Sequence, residues 1–446
     1  MSARMGSPPE LEPTGAWLPT KALGRAILLT AVVLLVAVLF GRFDLVVLVA
    51  PVALGAAVGL ARRPAEAPAV ELSTGDQVVV EGSTVEVSIG VANPGRIAYD
   101  LMLVRLRTPI WVRITGGDRP YVAGTSRRAV VDVELTGEAR RWGRHPVGPV
   151  TAHAVAGDGL LISVPVATDP LLLNVYPQVE PFKAAEVMPR AAGLVGAHRS
   201  RRPGEGGELA GVRPFGPGDR LRRIDWRVSL RTGRLHVAAT LSDRDAEVLL
   251  LLDVLHEAGR SGGVGGAASV LDTTVRSAAA IAEHYLTRGD RVALLEYGFR
   301  SRWLRPGSGR RHYLTALQWL LDVSPTDTPY EPTSGAFGTT LIPSHALVIV
   351  FTPLLDTRTV AMLARMARSG RVAIAVDTLG STDIRLSAGT HWLPVAQRLW
   401  MLERANLVGQ LREHGVPVVS WAGAGSLDAV LRDVSQLAAA PKARAR

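Results

Sequence analysis

Two uncharged apolar runs, Ala26 to Gly41 and Leu45 to Ala61, follow one another near the start of the chain, separated only by Arg42-Phe43-Asp44. At 16 and 17 residues they stand near the short end for a helix that spans a bilayer. Arg25, Arg42 and Arg62 lengthen both spans, because an arginine stem lies along lipid while its guanidinium reaches the headgroups. A cleaved signal peptide gives way to a polar mature chain, whereas here a second apolar run follows at once. The expectation is a helical hairpin over residues 21–63 embedded in the lipid bilayer of the cell membrane, with two passes. Arg4, Lys21 and Arg25 precede the first span, Arg62 and Arg63 follow the second, and the turn carries one Arg and one Asp. Loops rich in Lys and Arg stay cytoplasmic, so both ends of the hairpin, and all of the chain beyond it, are expected in the cytoplasm. Residues 1–20, with several Pro and Gly, read as a disordered lead-in.

The 446 residues are too many for one ordinary domain, and a 47% apolar content suffices for two or three cores. Only Lys21, Lys183 and Lys442 among the 50 basic residues are lysines. Such a skew reflects a GC-rich genome rather than nucleic-acid binding, and no nucleic acid is expected as a partner. About half of the net charge of +10 collects between Arg199 and Arg244. The chain has no cysteine, which excludes disulfides and thiolate metal sites.

From Val70 to Tyr176 short runs alternate with period two, and turn signals recur every 8–12 residues or so. Val78 and Val80, then Val85, Val87 and Ile89, are placed on single faces, and Trp142 packs in a strand-rich corner. This predicts an antiparallel, immunoglobulin-like β-sandwich over residues 69–178. From Glu247 the rhythm changes. "EVLLLLDV" is a continuous apolar run, the mark of a strand buried on both faces. Strands "RVALLEYG", "ALVIVFTPL", "RVAIAVDTL" and "VPVVSWAG" then alternate with helical patterns up to "SLDAVLRDVSQLAAA". That alternation predicts an α/β doubly wound, mostly parallel sheet over residues 247–440. Ligands on such sheets bind at the carboxyl ends of the strands, where Asp253, Glu257, Thr339, Thr340, Thr352, Asp356 and Asp377 are the candidates. There is no Walker lysine motif, and "GGVGGA" at Gly262 to Ala267 lacks the dinucleotide fingerprint, so no nucleotide cofactor is expected.

Between the two regions runs "GGELAGVRPFGPGDRLRRIDWRVSLRTGRL", Gly206 to Leu235. With Asp253 at the end of the next strand, it resembles the bacterial domain-of-unknown-function family 58. Glu208, Arg213, Gly218, Asp219, Arg222, Ile224, Asp225, Trp226, Arg231 and Leu235 carry the likeness. Leu209 and Phe215 stand where the family has aromatic residues, and Leu230 precedes Arg231. The resemblance implies a motif region over residues 197–246 followed by a von Willebrand factor A-like domain. It also implies membrane anchoring and, as partner, a MoxR-type AAA+ ATPase encoded nearby. Such a sheet often carries a metal-ion-dependent adhesion site with D-x-S-x-S after the first strand, a later Thr and another Asp. Here the loop reads "DVLHE": Asp253 is present, Leu255 has no ligand atom, and Glu257 replaces the second Ser. Thr339 or Thr340 and Asp356 would have to complete it, so the site reads as degenerate and no metal is expected.

Two readings of the motif stand side by side. In the first, Arg220, Arg222, Arg223, Arg227 and Arg231 pair with Asp219, Asp225, Glu205 and Glu208 in a clasp, Trp226 fills an apolar pocket, and "RTGRL" turns at Thr232-Gly233 as a hairpin. In the second, the arginines form an exposed basic surface for an acidic partner loop or anionic lipid headgroups. Arginine stays protonated and is a poor general base, and no nucleophile–base pair is suggested. A membrane-anchored, non-enzymatic adaptor or scaffold is therefore expected, with a hydrolase using the sheet-edge carboxylates, or a metal-dependent adhesion module, as the alternatives.

Overall fold

The computed structural model describes residues 17–117, 119–179, 203–216, 221, 224–241, 247–299, 301–326, 342, 346–379 and 392–421. The chain divides into two compact units, Met1–Val175 and Tyr176–Arg446.

The first unit opens with a short strand, β1 (Trp17–Pro19), and two helices, α1 (Lys21–Phe40) and α2 (Phe43–Ala61). Both helices are long and apolar enough to cross a membrane. Within them only Leu23, Ala37, Val49, Ala56 and Gly59 are buried, so almost the whole apolar surface faces outward. Gly41, at φ +64°, ends α1 in the left-handed conformation that glycine adopts without a Cβ penalty, and the chain turns there into α2.

A sandwich follows, formed by β2 (Ala69–Thr74), β3 (Val78–Val80), β4 (Thr84–Ala92), β5 (Tyr99–Leu106), β6 (Val112–Ile114), β7 (Tyr121–Thr125) and β8 (Val130–Ala139). It continues through β9 (Gly143–Val147), β10 (Val150–Ala156), β11 (Leu161–Ser163), β12 (Val166–Ala167) and β13 (Leu171–Tyr176). One sheet runs β2-β4-β8-β6, a second β1-β11-β10-β5-β7 with β12 on β10, and a third β3-β13-β9. The alternation along β4 buries Val85, Val87, Ile89 and Val91 against Met102, Val104 and Leu106 of β5 in one core. Trp142 is buried as the sequence predicts. Val78 and Val80 share one face of β3, as the alternation predicts; that face is exposed, and Val79 points inward.

The lead-in also needs correction at its end. Residues 1–16 lie outside the described part, but Trp17–Pro19 is a strand paired with β11. Trp17 is buried, packs at a tilt of 52° against Tyr99 with ring centroids 5.5 Å apart, and donates Nε1–H to the Glu66 carbonyl at 3.2 Å. A buried indole accounts for the order that composition alone argued against. The two outer ends of the hairpin are thereby tied to one edge of the sandwich. Thr20 caps α1 and donates its hydroxyl to Gly159 O at 2.8 Å, Arg63 reaches Trp17 O at 3.1 Å, and Tyr99 reaches Glu66 O at 2.9 Å.

In the second unit β14 (Pro203–Pro214) pairs antiparallel with β15 (His236–Leu241), and the short helix α3 (Trp226–Thr232) lies between them in sequence. The α/β part then runs β16 (Glu247–Asp253), α4 (Val270–Thr287), β17 (Arg291–Tyr297), β18 (Trp303–Gly307) and α5 (Gly309–Leu320). It ends with β19 (Leu347–Thr352), α6 (Thr357–Arg368), β20 (Val372–Asp377), α7 (Leu393–Glu413) and β21 (Val418–Ser420). The sheet order is β18-β17-β16-β19-β20-β21, parallel except for β18. Every residue of β16 and β19 is buried, as continuous apolar runs covered on both faces require. The sequence pattern missed β18, an antiparallel edge strand of five residues that contains Pro306. The helical pattern from Ser426 to Ala440 lies outside the described residues.

Candidate functional site

The strands of the α/β sheet, numbered along the chain, stand in the order 3-2-1-4-5-6, so the topology reverses between β16 and β19. Loops leave these two neighbours in opposite directions and open a crevice at their carboxyl ends. Asp253 ends β16, Thr352 ends β19, and Asp377 ends β20 in register with Thr352. Thus the sheet itself brings three of the sequence-predicted side chains to one edge.

Asp253 is fully enclosed. Its Oδ2 accepts from Thr352 Oγ1 at 2.7 Å and Thr359 Oγ1 at 2.8 Å, and its Oδ1 accepts from Leu255 N at 3.1 Å. Burial pushes this carboxyl above its ordinary range, and the two threonine hydroxyls and the Leu255 N–H only partly oppose that. The neighbouring Tyr297 is pushed up to about 12 by burial and then by the Asp253 charge. Thr352 Oγ1 in turn accepts from Leu354 N at 3.0 Å. Leu354 sits at φ +52°, a conformation disfavoured for a leucine, and is held there by this turn.

Asp356 is the N-cap of α6. Its Oδ1 accepts from Arg358 N at 2.7 Å, and its Oδ2 from Arg358 at 2.6 Å and from His256 Nε2 at 2.9 Å. Burial pulls its pKa upward, but Arg358 and His256 outweigh it and hold the carboxylate below its usual range. Asp377 Oδ1 accepts from Leu379 N at 2.9 Å and from Arg404 at 2.5 Å, and the same guanidinium donates to Pro353 O at 2.6 Å. Arg404, from α7, therefore fastens the β19 and β20 loops together.

Glu257 turns to the start of α4, where Oε1 accepts from Leu271 N at 3.4 Å, and Leu255 is buried and apolar. The described residues do not assemble a site for a divalent cation. Both Asp253 oxygens are occupied by hydrogen-bond donors, and no group of three or more His, Asp or Glu side chains among the described residues could hold an ion. Thr339 and Thr340 lie outside the described residues. The residues that sequence reasoning did not single out, Arg358, Thr359 and Arg404, all act through hydrogen bonds. The run Asp356-Thr-Arg-Thr359 was a legible helix-start signal, whereas Arg404 gave none.

The Arg–carboxylate clasp falls largely outside the described residues, including Arg220 and the side chain of Glu205, while the described part of the motif corrects the place of Trp226 and of the Thr232-Gly233 turn. Gly218, Asp219, Arg222 and Arg223 lie outside the described residues, and of Glu208 only its backbone place in β14 is defined. Asp225 is half-buried as the N-cap of α3, accepting from Arg227 N and Val228 N, both at 3.1 Å. The apolar pocket expected for Trp226 is absent: the indole is 60% exposed, because the helix buries only Ser229. Thr232-Gly233 closes α3 with a left-handed glycine, φ +70°, and is not a hairpin turn. Arg231 is exposed in the last turn of the helix, and Arg213 donates to Pro214 O at 3.2 Å.

A doubly wound domain whose sheet-edge carboxylates are spent on internal bonds, preceded by a β-sandwich and two apolar helices, defines the class. Residues 211–403 match the model of the family described as "Protein of unknown function DUF58". Uncharacterized proteins of Mycobacterium tuberculosis and Mycobacterium bovis are 34% identical over 128 residues, which is 28% of this chain and 39% of each relative. The chain thus matches less than half the length of these relatives. Among solved structures, an aerotolerance-related membrane protein from Bacteroides fragilis is 17% identical, covering 43% of this chain and 99% of that one, with a TM-score of 0.28. The CARDB domain of a Pyrococcus furiosus protein is 15% identical over 26% of this chain and 96% of that one, with a TM-score of 0.17. Both scores are too low to carry a fold.

Proposed function

We propose that the protein is a non-enzymatic, membrane-anchored adaptor. In this reading α1 and α2 cross the cell membrane, and the sandwich and a von Willebrand A-like α/β domain face the cytoplasm, where they present a client to a MoxR-type AAA+ ATPase. One observation carries the reading: Asp253, Asp356 and Asp377 at the switch point are engaged by Thr352, Thr359, Arg358 and Arg404. A catalytic carboxylate needs an oxygen turned to substrate, and these hold loops instead. The strand order 3-2-1-4-5-6 with one antiparallel edge strand supports the von Willebrand A-like assignment. Arginines 62 and 63 beyond α2 support the cytoplasmic orientation. The hydrolase alternative would use the His256–Asp356 pair, but there the His256 Nε2 is taken up by the Asp356 carboxylate, which also caps α6 and pairs with Arg358. The test is co-purification. The full chain, extracted in mild detergent from its host, is expected to retain the host's MoxR-type ATPase. Absence of that ATPase, with and without nucleotide, would overturn the partner assignment.

A further inference from the structure

The outward face of α3 is an unusual surface. Trp226 and Leu230, four residues apart and so stacked on one side of the helix, are 60% and 82% exposed. Arg227 and Arg231, also four apart, are exposed beside them, and Arg234 follows just beyond the cap. Among the described side chains of residues 212–238, Asp225 is the sole carboxylate, and it is spent on the helix cap. The helix cannot roll these side chains inward. Ser229 Oγ donates to Asp225 O at 2.6 Å and accepts from His236 N at 2.9 Å, and Asp225 N donates to His236 O at 2.9 Å. Those bonds fasten the opposite side of α3 to β15. The anchored backbone of α3 therefore presents an indole, a leucine and, with the residue beyond its cap, three guanidinium groups to solvent.

We propose that this face is a docking surface for a protein partner that offers an apolar pocket rimmed by carboxylates. The proposal rests on the adaptor reading, under which that partner is the ATPase. The chemistry is that of an interface centre. Trp and Arg dominate the residues that carry binding energy, a planar guanidinium pairs with a carboxylate through two parallel hydrogen bonds, and a helix already anchored to its strand has no backbone left to order on binding. A lipid surface fits less well, since two turns bearing two apolar side chains bury little area at a headgroup boundary.

The experiment places a photo-crosslinking phenylalanine derivative at position 230 of the full chain in host membranes. The control carries it at Val122, an exposed position in the sandwich. Position 230 is expected to cross-link to the ATPase, through a peptide containing Asp or Glu, and Val122 not to. In parallel, Trp226→Ala and the double variant Arg227→Glu/Arg231→Glu are expected to lower ATPase capture at least tenfold while the thermal melt stays in place. Cross-linking to phospholipid, to a second copy of the chain or to nothing overturns the proposal. So does capture by the variants equal to wild type, which would leave the adaptor reading standing. If the wild-type chain retains no ATPase, yet position 230 cross-links a different protein through an acidic peptide and the double variant abolishes that adduct, the surface stands and the partner assignment falls.

Discussion

Replacing Asp253 separates its two possible roles, hydrogen-bond acceptor and charge. Asp253→Ala strips the partner from three buried donors, the Thr352 and Thr359 hydroxyls and Leu255 N–H. Each buried donor left unsatisfied costs about 1–3 kcal/mol. The sum is reduced because hydroxyls rotate to other acceptors, and because the ionised carboxylate is itself penalised by burial. A net loss of about 3 kcal/mol is expected, roughly a hundredfold faster local opening. Asp253→Asn keeps an oxygen for Leu255 N–H, and its amide donates to the two hydroxyls, which also accept. It is expected to cost under about 1 kcal/mol, within the range of volume-conserving changes. The sign of the pH dependence follows from the raised pKa. The stability contributed by Asp253 is fully present below the ordinary carboxylate range and is lost as pH rises through the elevated folded value, and Asp253→Asn removes that slope. Hydrogen exchange of the β16 and α6 amides in the full chain, read by mass spectrometry, reports the local opening. If Asn opens the site as much as Ala, the negative charge itself is required, as it would be for a bound cation, and the reasoning fails.

Four further outcomes follow. His284 is held down to about 4 by burial and then by Arg288; stability present above the ordinary histidine range should be lost as pH falls to that value, by up to about 3 kcal/mol. The difference in melting temperature between wild type and His284→Gln across that window checks it. Asp225→Ala should cost about 1 kcal/mol through its lost cap, and Trp226→Ala within about 0.5 kcal/mol, in denaturant melts; a large loss for Trp226→Ala would mean that the indole is packed. A Cβ on Gly59 would meet Leu160 Cδ1 at 2.7 Å and Gly157 O at 3.2 Å, so Gly59→Leu should expose the turn 157–160 to protease, with Leu160→Ala giving partial rescue. Finally, single cysteines at Ser73 or Arg446 should resist an impermeant maleimide in intact cells, and strong labelling at either would reverse the orientation.

The sequence by itself determined everything that repeats along the chain. The apolar runs of α1 and α2, the alternation of β4 and the continuous burial of β16 and β19 are legible because a segment's environment imposes a period on its own residues. The α/β rhythm likewise placed Asp253, Thr352 and Asp377 at the carboxyl edge of a parallel sheet, while the strand order that makes β16 and β19 the switch point was set only by the tertiary structure. What those residues do was decided only in three dimensions. Thr352 and Thr359 lie 99 and 106 residues from Asp253, and Arg404 lies 27 from Asp377. Such bonds leave no trace in local pattern, since a threonine that donates to a distant carboxylate looks like any other. The pocket expected for Trp226 failed for the same reason. Whether the indole is covered depends on which side of α3 is bonded to β15. The Ser229–His236 bonds turn that side inward and leave the indole in solvent.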